Sequence, residues 1–560
     1  MARDNWREIR QLWNGGRAVF GTVTGAVQLG QLISQYRQMN APRPELEDEH
    51  NPMGGMATAD ELTRFAYDPN GFYLGHIHDD HGVNFEASIP SSDDRHVFIV
   101  AGSASGKGLT YGIQNGIRWN GPLLAIDPKG EMAEITGMVR GTRAGARGSD
   151  TSVRQGWKNQ KVAILDPMGE VRGPAKKYCV RYDPMSDIDM RSPRIARRRI
   201  GDLASGMVIP ERGDNSHFSE NAETLVAGTI EAVKTLEPAK DHNLPFLRRK
   251  ILGNVKLKNE DTPTEGDETT IKAGFEALYD YLTHDALPDD GHAAEAASVL
   301  GEVLGSDEAG SFRTTLSRNL KWLIDLDMQD HLKPSNFSLW KAVQEGWSVF
   351  LVLNPDDIGR FRNWLRMNVQ MALAAKMRMG TNQEGPQTLF FLDEFPVLGR
   401  FKEIEEKAGY IRGYGVKLVP IIQNVGQLQT LYEKNWETFL GNAAAVIAWG
   451  MNDLETEEYL SKRIGKVMVT ETSQSESDGI SGMNGSVGRS QNTARHERQI
   501  RFSNEVREQG ARETMRAFVI PASGRAFTVR RVPYTALERY KVYDSPAHVL
   551  RVEAGSKSHG

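Results

Sequence analysis

A strand-length apolar run, His96–Ala101 (HVFIVA), leads directly into AGSASGKGLT, Ala101 to Thr110, and then into a helical pattern. No other feature of the chain constrains its fold as strongly. A loop with glycines at 102, 106 and 108 can curl so that successive backbone N–H groups point the same way. The helix that follows adds the partial positive charge of its N-terminus. Strand, glycine loop and helix belong to parallel α/β architecture and together form a phosphate cradle. The cradle residues are Gly102, Ser103, Ala104, Ser105, Gly106, Lys107, Gly108 and Leu109, with Lys107 placing a charge on the β- and γ-phosphates of ATP. The alternative is a glycine-rich turn without a ligand. Two positions depart from the pattern G-x-x-x-x-G-K-[ST]. Ala101 stands at the first glycine, and Gly108 stands where a hydroxyl normally holds Mg2+. Thr110, two residues on, is a substitute for that hydroxyl.

A second stretch gives the cradle a use. TLFFLDEFPVLG, Thr388 to Gly399, is an apolar strand that ends in two acids. In a Walker B reading, Asp393 serves the Mg2+ hydration shell and Glu394 orients or polarises the attacking water. An acidic pair at a strand end also fits a solvated turn; an upstream cradle favours hydrolysis. A third buried strand, Leu418–Ile422, ends at Gln423, a position that opens onto the ligand crevice of a parallel sheet. Gln423 is either a γ-phosphate or water sensor or a strand cap. Arg412, between the second and third stretches, is either a surface cation or a group that acts on the neighbouring subunit's phosphate.

Further apolar runs complete the α/β pattern: Leu123–Ile126, Val162–Leu165, Ser348–Leu353 and Ala445–Trp449. They are short, apolar throughout and bounded by turn residues, as in strands buried on both faces. From Ile188 to Gly346 helical periodicity takes over, as in Glu220–Leu236 and Ala293–Leu304. The expected fold is therefore α/β: a RecA-like P-loop nucleotide-binding domain with a mostly parallel sheet and an inserted all-α domain. The expected divisions are an N-terminal segment and linker at 1–55, nucleotide-binding parts at 56–187 and 347–545, the insertion at 188–346 and a tail at 546–560. Asn259–Thr270 reads as a polar loop within the insertion. Residues 471–493, rich in Ser, Gly and Asn, read as a flexible loop. The flanking runs Lys466–Thr470 and Gln499–Phe502 are its candidate strands.

The net charge is −5, which argues against a protein basic overall that coats nucleic acid. Any nucleic-acid contact must come from a local basic surface. With one cysteine, Cys179, a disulfide within the chain is impossible, which suits a reducing compartment. Residues 18–36 are uncharged, but three Gln, two Thr and three Gly make them too polar for a membrane span. They read as a soluble helix or loop, or as a membrane-surface or partner-docking helix.

The resemblance extends well beyond the cradle. AGSASGKGL followed by GPLLAIDPKGEMAEITGMVRG resembles the TraG/TraD-type coupling proteins of type IV secretion, with their GKG loop and D-x-K-G-E stretch. VAILDP with CVRYDPMSDI, LDEFPVLG, IRGYG, PIIQNVGQLQTLY and NDLETEEYLSKRIGKVMVT are similar to that family in the same order, from about Asp60 to Asp544. In that family Ala before the loop and Gly after the Lys are common. The resemblance implies ATP and Mg2+ as cofactors, Lys107 on phosphate, Asp393 and Glu394 serving Mg2+ and water, Gln423 as sensor and Arg412 as the trans-acting arginine. It further implies a ring homo-hexamer whose α domain receives substrate for a type IV secretion or conjugation channel. That substrate is relaxase-bound single-stranded DNA, effector protein or both. The expected location is cytoplasmic, peripheral at the inner face of a bacterial inner membrane. Family members usually begin with transmembrane helices, so a separate membrane partner that docks residues 1–40 is expected here. The competing functions are a DNA-pumping ATPase of the FtsK/HerA group and a nucleotide-binding adaptor that does not hydrolyse.

Overall fold

The structure, a computed structural model, describes residues 56–78, 84–141, 160–211, 213, 216–253, 268–381, 383, 385–477 and 488–536. Twelve strands of these residues make one sheet. In chain order they are β1 (Phe72–His78), β2 (Asn84–Ile89), β3 (His96–Ala101), β4 (Leu123–Asp127), β5 (Val162–Leu165), β6 (Cys179–Val180), β7 (Ser348–Val352), β8 (Thr388–Leu392), β9 (Val416–Ile422), β10 (Ala443–Trp449), β13 (Arg516–Pro521) and β14 (Phe527–Arg530); β11 and β12 form a separate hairpin, Lys466–Ser477 and Gly488–Gln499. The spatial order is β2-β1-β14-β13-β10-β3-β9-β8-β4-β7-β5-β6. From β10 to β6 every pair is parallel. On the far side β13, β14, β1 and β2 add an antiparallel wing.

Side chains alternate across the parallel strands, so each face of the sheet has its own core. Along β3, Phe98 and Val100 enter one core while Val97, Ile99 and Ala101 enter the other. The second core is closed by α1 (Ile113–Arg118) and α2 (Glu131–Gly141), through Ile113, Ile117, Met132 and Ile135. Helices of the insertion close the first. The strands expected in this sheet are all present, several extended by a residue or two and Ser348–Leu353 ending one residue earlier, at Val352. The wing escaped sequence analysis because β1 (FYLGHIH) is broken in pattern. Its register shifts between Tyr73 and Gly75, and the Tyr73 backbone, in register with Ser88, pairs with the Asn115 side chain, N–H to Oδ1 at 2.8 Å and Nδ2 to C=O at 3.1 Å.

Between β6 and β7 the described residues form helices and no strand: α3 (Pro193–Met207), α4 (Ser216–Leu236), α5 (Leu244–Leu252), α6 (Glu268–Leu282), α7 (His292–Leu304), α8 (Ala309–Leu320), α9 (Leu326–Leu332) and α10 (Leu339–Gln344). Ile200, Leu203 and Leu225 of this insertion share one core with Leu351 and Phe390 of the sheet. The insertion is therefore packed onto the sheet, not tethered beside it. The end of the expected polar loop, Glu268 to Thr270, begins α6; residues 259–267 lie outside the described residues, as do 1–55 and 546–560.

The expected loop at 471–493 needs correction at 471–477 and 488–493; residues 478–487 lie outside the described residues. β11 and β12 pair without interruption from Lys466–Gln499 to Ser477–Gly488. Backbone pairing builds this ladder through a Ser- and Thr-rich sequence, so composition misled. The expected second strand, Gln499–Phe502, contributes only Gln499. The Phe502 N–H donates to Glu505 at 2.8 Å and opens a helix, Ser503–Gln509. Among the described residues no helix is long and apolar enough to cross a membrane.

Candidate functional site

The cradle leaves β3 with Ala104 and Gly106 at φ of 53° and 82°. Two left-handed residues in so short a loop bend it into an anion-binding concavity. Gly102 is required for space: a Cβ there would lie 2.1 Å from the carbonyl oxygen of Gly450. Gly108 is different, because a Cβ there meets nothing within 4 Å. Gly102→Ala is therefore expected to push the loop off Gly450 and weaken ATP binding about 5- to 150-fold, in line with ~1–3 kcal/mol of overpacking. Gly108→Ala should change it less than about threefold. Titration calorimetry on both variants checks the contrast, and equal losses would contradict it.

Gly108 to Gly112 form a π-helical turn before α1. Thr110 lies inside it, buried, and its hydroxyl donates to the Gly106 carbonyl at 2.8 Å. That hydrogen bond closes the first helical turn and commits the hydroxyl proton. Its oxygen lone pairs are not used by that bond, so the expected role of Thr110 at Mg2+ stays a proposal.

The back of the cradle is held by residues that sequence analysis missed. The Trp449 indole Nε1 donates to the Ser105 carbonyl at 3.0 Å, and a guanidinium nitrogen of Arg531 donates to the same oxygen at 2.8 Å. Arg531 also donates to the carbonyls of Arg516 and Arg512, at 3.2 and 2.9 Å, and lies over the Trp449 ring. Burial lowers its pKa to about 10, which leaves it charged at neutral pH beneath the loop.

The acids meet the cradle from the neighbouring strands. β3, β9 and β8 are adjacent, so their C-terminal ends bring Lys107, Gln423, Asp393 and Glu394 together. Lys107 Nζ lies 3.3 Å from Glu394 Oε1 and 3.8 Å from Asp393 Oδ1. Gln423 Nε2 donates to both Glu394 oxygens, at 3.2 and 3.1 Å, and Gln423 Oε1 accepts from Ser103 Oγ at 3.0 Å. Glu394 itself is left-handed, φ 58° and ψ 43°. A non-glycine residue there costs of order 1–3 kcal/mol, and such strain clusters at functional sites. Burial raises the Asp393 carboxyl to about 6, against the pull of Lys107. Next to it in the sheet, Asp127 ends β4, accepts the N–H groups of Ala133 and Lys129 at 2.8 and 3.3 Å, and is pushed by burial to about 7.

Arg412 is not part of this group. It precedes β9, at the opposite edge of the sheet from Gln423, about 20 Å away along a seven-residue strand. There it is half-exposed and pairs with Asp94 at 3.3 Å.

Residues 53–545 match the family model described as Type IV secretory system Conjugative DNA transfer. The chain is 26% identical over 415 residues to a conjugal transfer protein TraG of Escherichia coli, a match that covers 71% of this chain and 59% of that protein. It is 24% identical over 387 residues to protein VirD4 of Agrobacterium fabrum, covering 68% and 51%. The chain thus spans between half and three fifths of the length of these relatives. In fold it is similar to the plasmid coupling protein TrwB. The match to TrwB in complex with the ATP analogue ADPNP has a TM-score of 0.56 at 14% identity and covers 86% of this chain and 95% of that one. The match to TrwB with ADP and Mg2+ has a TM-score of 0.55 over the same shares.

Proposed function

The chain belongs to the type IV secretory system conjugative DNA transfer family, and on that premise we propose that it is an ATP-driven coupling protein. It recruits substrate, relaxase-bound single-stranded DNA or effector protein, and drives it into a type IV secretion or conjugation channel. The observation that carries this reading is the convergence of Lys107, Glu394 and Gln423 at the ends of three adjacent parallel strands.

The residues present fit ATP and Mg2+. The cradle offers backbone N–H groups, Lys107 and the helix N-terminus to the phosphates. Asp393 is one carboxylate for Mg2+, an ion that commonly keeps several waters and binds through one or two carboxylates plus phosphate oxygens. Gly108 lacks the usual hydroxyl and would offer Mg2+ no side-chain ligand. Bound Mg2+ supplies charge that offsets the phosphate oxygens. A terminal phosphate competes with Glu394 for Lys107, which leaves the Glu394 carboxylate on Gln423 and free to take a proton from water. The solved complexes of TrwB with ADPNP and with ADP and Mg2+ support this reading.

The working form in this proposal is a ring of six, with residues 188–346 as the substrate-receiving domain. The ring sits at the cytoplasmic face of the inner membrane, held by channel components or a separate membrane anchor. In a head-to-tail ring two different surfaces meet. Arg412 and its exposed neighbour Tyr410 would lie on the surface that faces the next subunit's phosphate. A trans-acting arginine contributes ~10³–10⁵-fold in known cases. Glu394→Gln and Arg412→Ala should each be nearly inactive alone. In an equal mixture about one quarter of the interfaces pair intact Glu394 with intact Arg412, and ATPase activity should return toward that fraction. Unimpaired turnover by Arg412→Ala alone would remove Arg412 from the mechanism.

A further inference from the structure

Arg366 lies on α11 (Arg362–Met377), the helix that follows β7, and is 1% exposed. A buried guanidinium carries a high desolvation cost unless its donors are used. One of its terminal nitrogens donates to the carbonyls of Leu398 and Arg400, at 3.1 and 2.6 Å. Its plane covers the Phe401 ring at 4.5 Å, and its other terminal nitrogen lies 4.0 Å from Glu403. All four partners belong to the segment that continues from Glu394. That segment is a 3-10 turn, Phe395–Leu398, then Gly399 and the helix α12 (Lys402–Ile411).

The insertion grips the same segment from the other side. Ser205 of α3 donates to Glu403 Oε1 at 2.6 Å. Ile209, just past α3, packs so closely on Gly399 that a Cβ there would meet its methyl group at 2.9 Å. Asn363, one turn before Arg366, donates to the Met207 carbonyl at 2.9 Å and to Asn319 at 3.1 Å. Glu223 of α4 faces the group as well; burial and the Glu403 carboxylate push its pKa up to about 7.

We infer that Arg366 is a positioning residue that joins the helical insertion to the Walker B segment and so sets the placement of Glu394. Glu394 holds a left-handed backbone directly before the 3-10 turn, so a shift of Leu398 to Arg400 changes the strain at Glu394. The inference rests on the reading of Glu394 as the water-activating residue. It adds a mechanical joint between residues 188–346 and the acid that ends β8.

The test compares Arg366→Gln and Ser205→Ala in the full chain. It measures kcat, the Kd for ATP and amide hydrogen exchange over 395–411. For Arg366→Gln, kcat should fall at least about tenfold while the ATP Kd stays within about threefold. Exchange over 395–411 should quicken while β3 and β8 keep their protection. Ser205→Ala should show the same split, with kcat down about two- to fivefold. Folded Arg366→Gln with parental kcat and parental exchange overturns the proposal. So does a parallel loss of kcat, affinity and protection across the chain. If Arg366→Gln does not fold, Ser205→Ala decides alone, and unchanged exchange over 395–411 refutes the joint. Absence of turnover in the unaltered chain would instead refute the hydrolytic reading, and the exchange arm would still test the joint.

Discussion

Glu394→Gln protein should bind ATP with Mg2+ about as tightly as the unaltered chain and hydrolyse it at least about 100-fold more slowly. The substitution changes one atom and keeps the shape. A glutamine oxygen can still accept from Gln423 Nε2, now at 3.1–3.2 Å from the carboxylate. The left-handed backbone is as costly for Gln as for Glu, so the turn that follows keeps its place. What disappears is a proton acceptor within reach of Lys107 and the cradle. A positioned general base contributes ~10²–10⁴-fold, which sets the size of the loss. Rapid-quench and steady-state phosphate release on protein shown to bind ATP would measure it. Turnover within threefold of the parent would mean that another group activates the water.

Lys107→Ala should lose affinity more than fold. The Lys107 ammonium is the cation nearest both acids, at 3.3 Å from Glu394 and 3.8 Å from Asp393. A charge-assisted hydrogen bond to phosphate is worth ~1.5–3 kcal/mol, so ATP binding should weaken about 10- to 100-fold. Removal of the cation also leaves two carboxylates side by side, and Asp393, already raised to about 6 by burial, should titrate higher still. The loss of affinity should therefore be larger at pH 6 than at pH 8, because protonated Asp393 cannot serve Mg2+. Calorimetric titration at both pH values is the check. Affinity within threefold of the parent at both would place the phosphates elsewhere.

The parts of the site that sequence analysis found are those carried by contiguous residues. A strand, its glycine loop and the next helix are local, so Gly102 to Leu109 could be read in order. An apolar strand with acids or Gln at its end is equally local, and parallel sheets gather such ends into one crevice. The supports were not legible. Trp449 and Arg531 reach Ser105 across 344 and 426 residues of chain, and nothing in their own surroundings marks them. Thr110 was read from sequence nearness alone. Its nearness to Lys107 suggested the metal, and the contact it makes here, a hydrogen bond donated to the Gly106 carbonyl, could not be read from that nearness. Composition failed at 471–477 and 488–493, where serines and glycines suggested a loop and the backbone instead continues a ladder to Ser477 and Gly488. The antiparallel wing was hidden because Gly75 and two histidines interrupt the apolar pattern of β1.

The central claim is that hydrolysis at Lys107, Asp393 and Glu394 drives substrate into the channel. Substrate transfer from donor cells that lack this chain but keep the rest of the system measures it most directly. Complementation with the unaltered chain should restore transfer to recipient cells. The Glu394→Gln chain, produced at the same level and binding ATP, should leave transfer at the uncomplemented background. Restoration of full transfer by Glu394→Gln would contradict the account, because the chain would then serve the channel without the chemistry of this site.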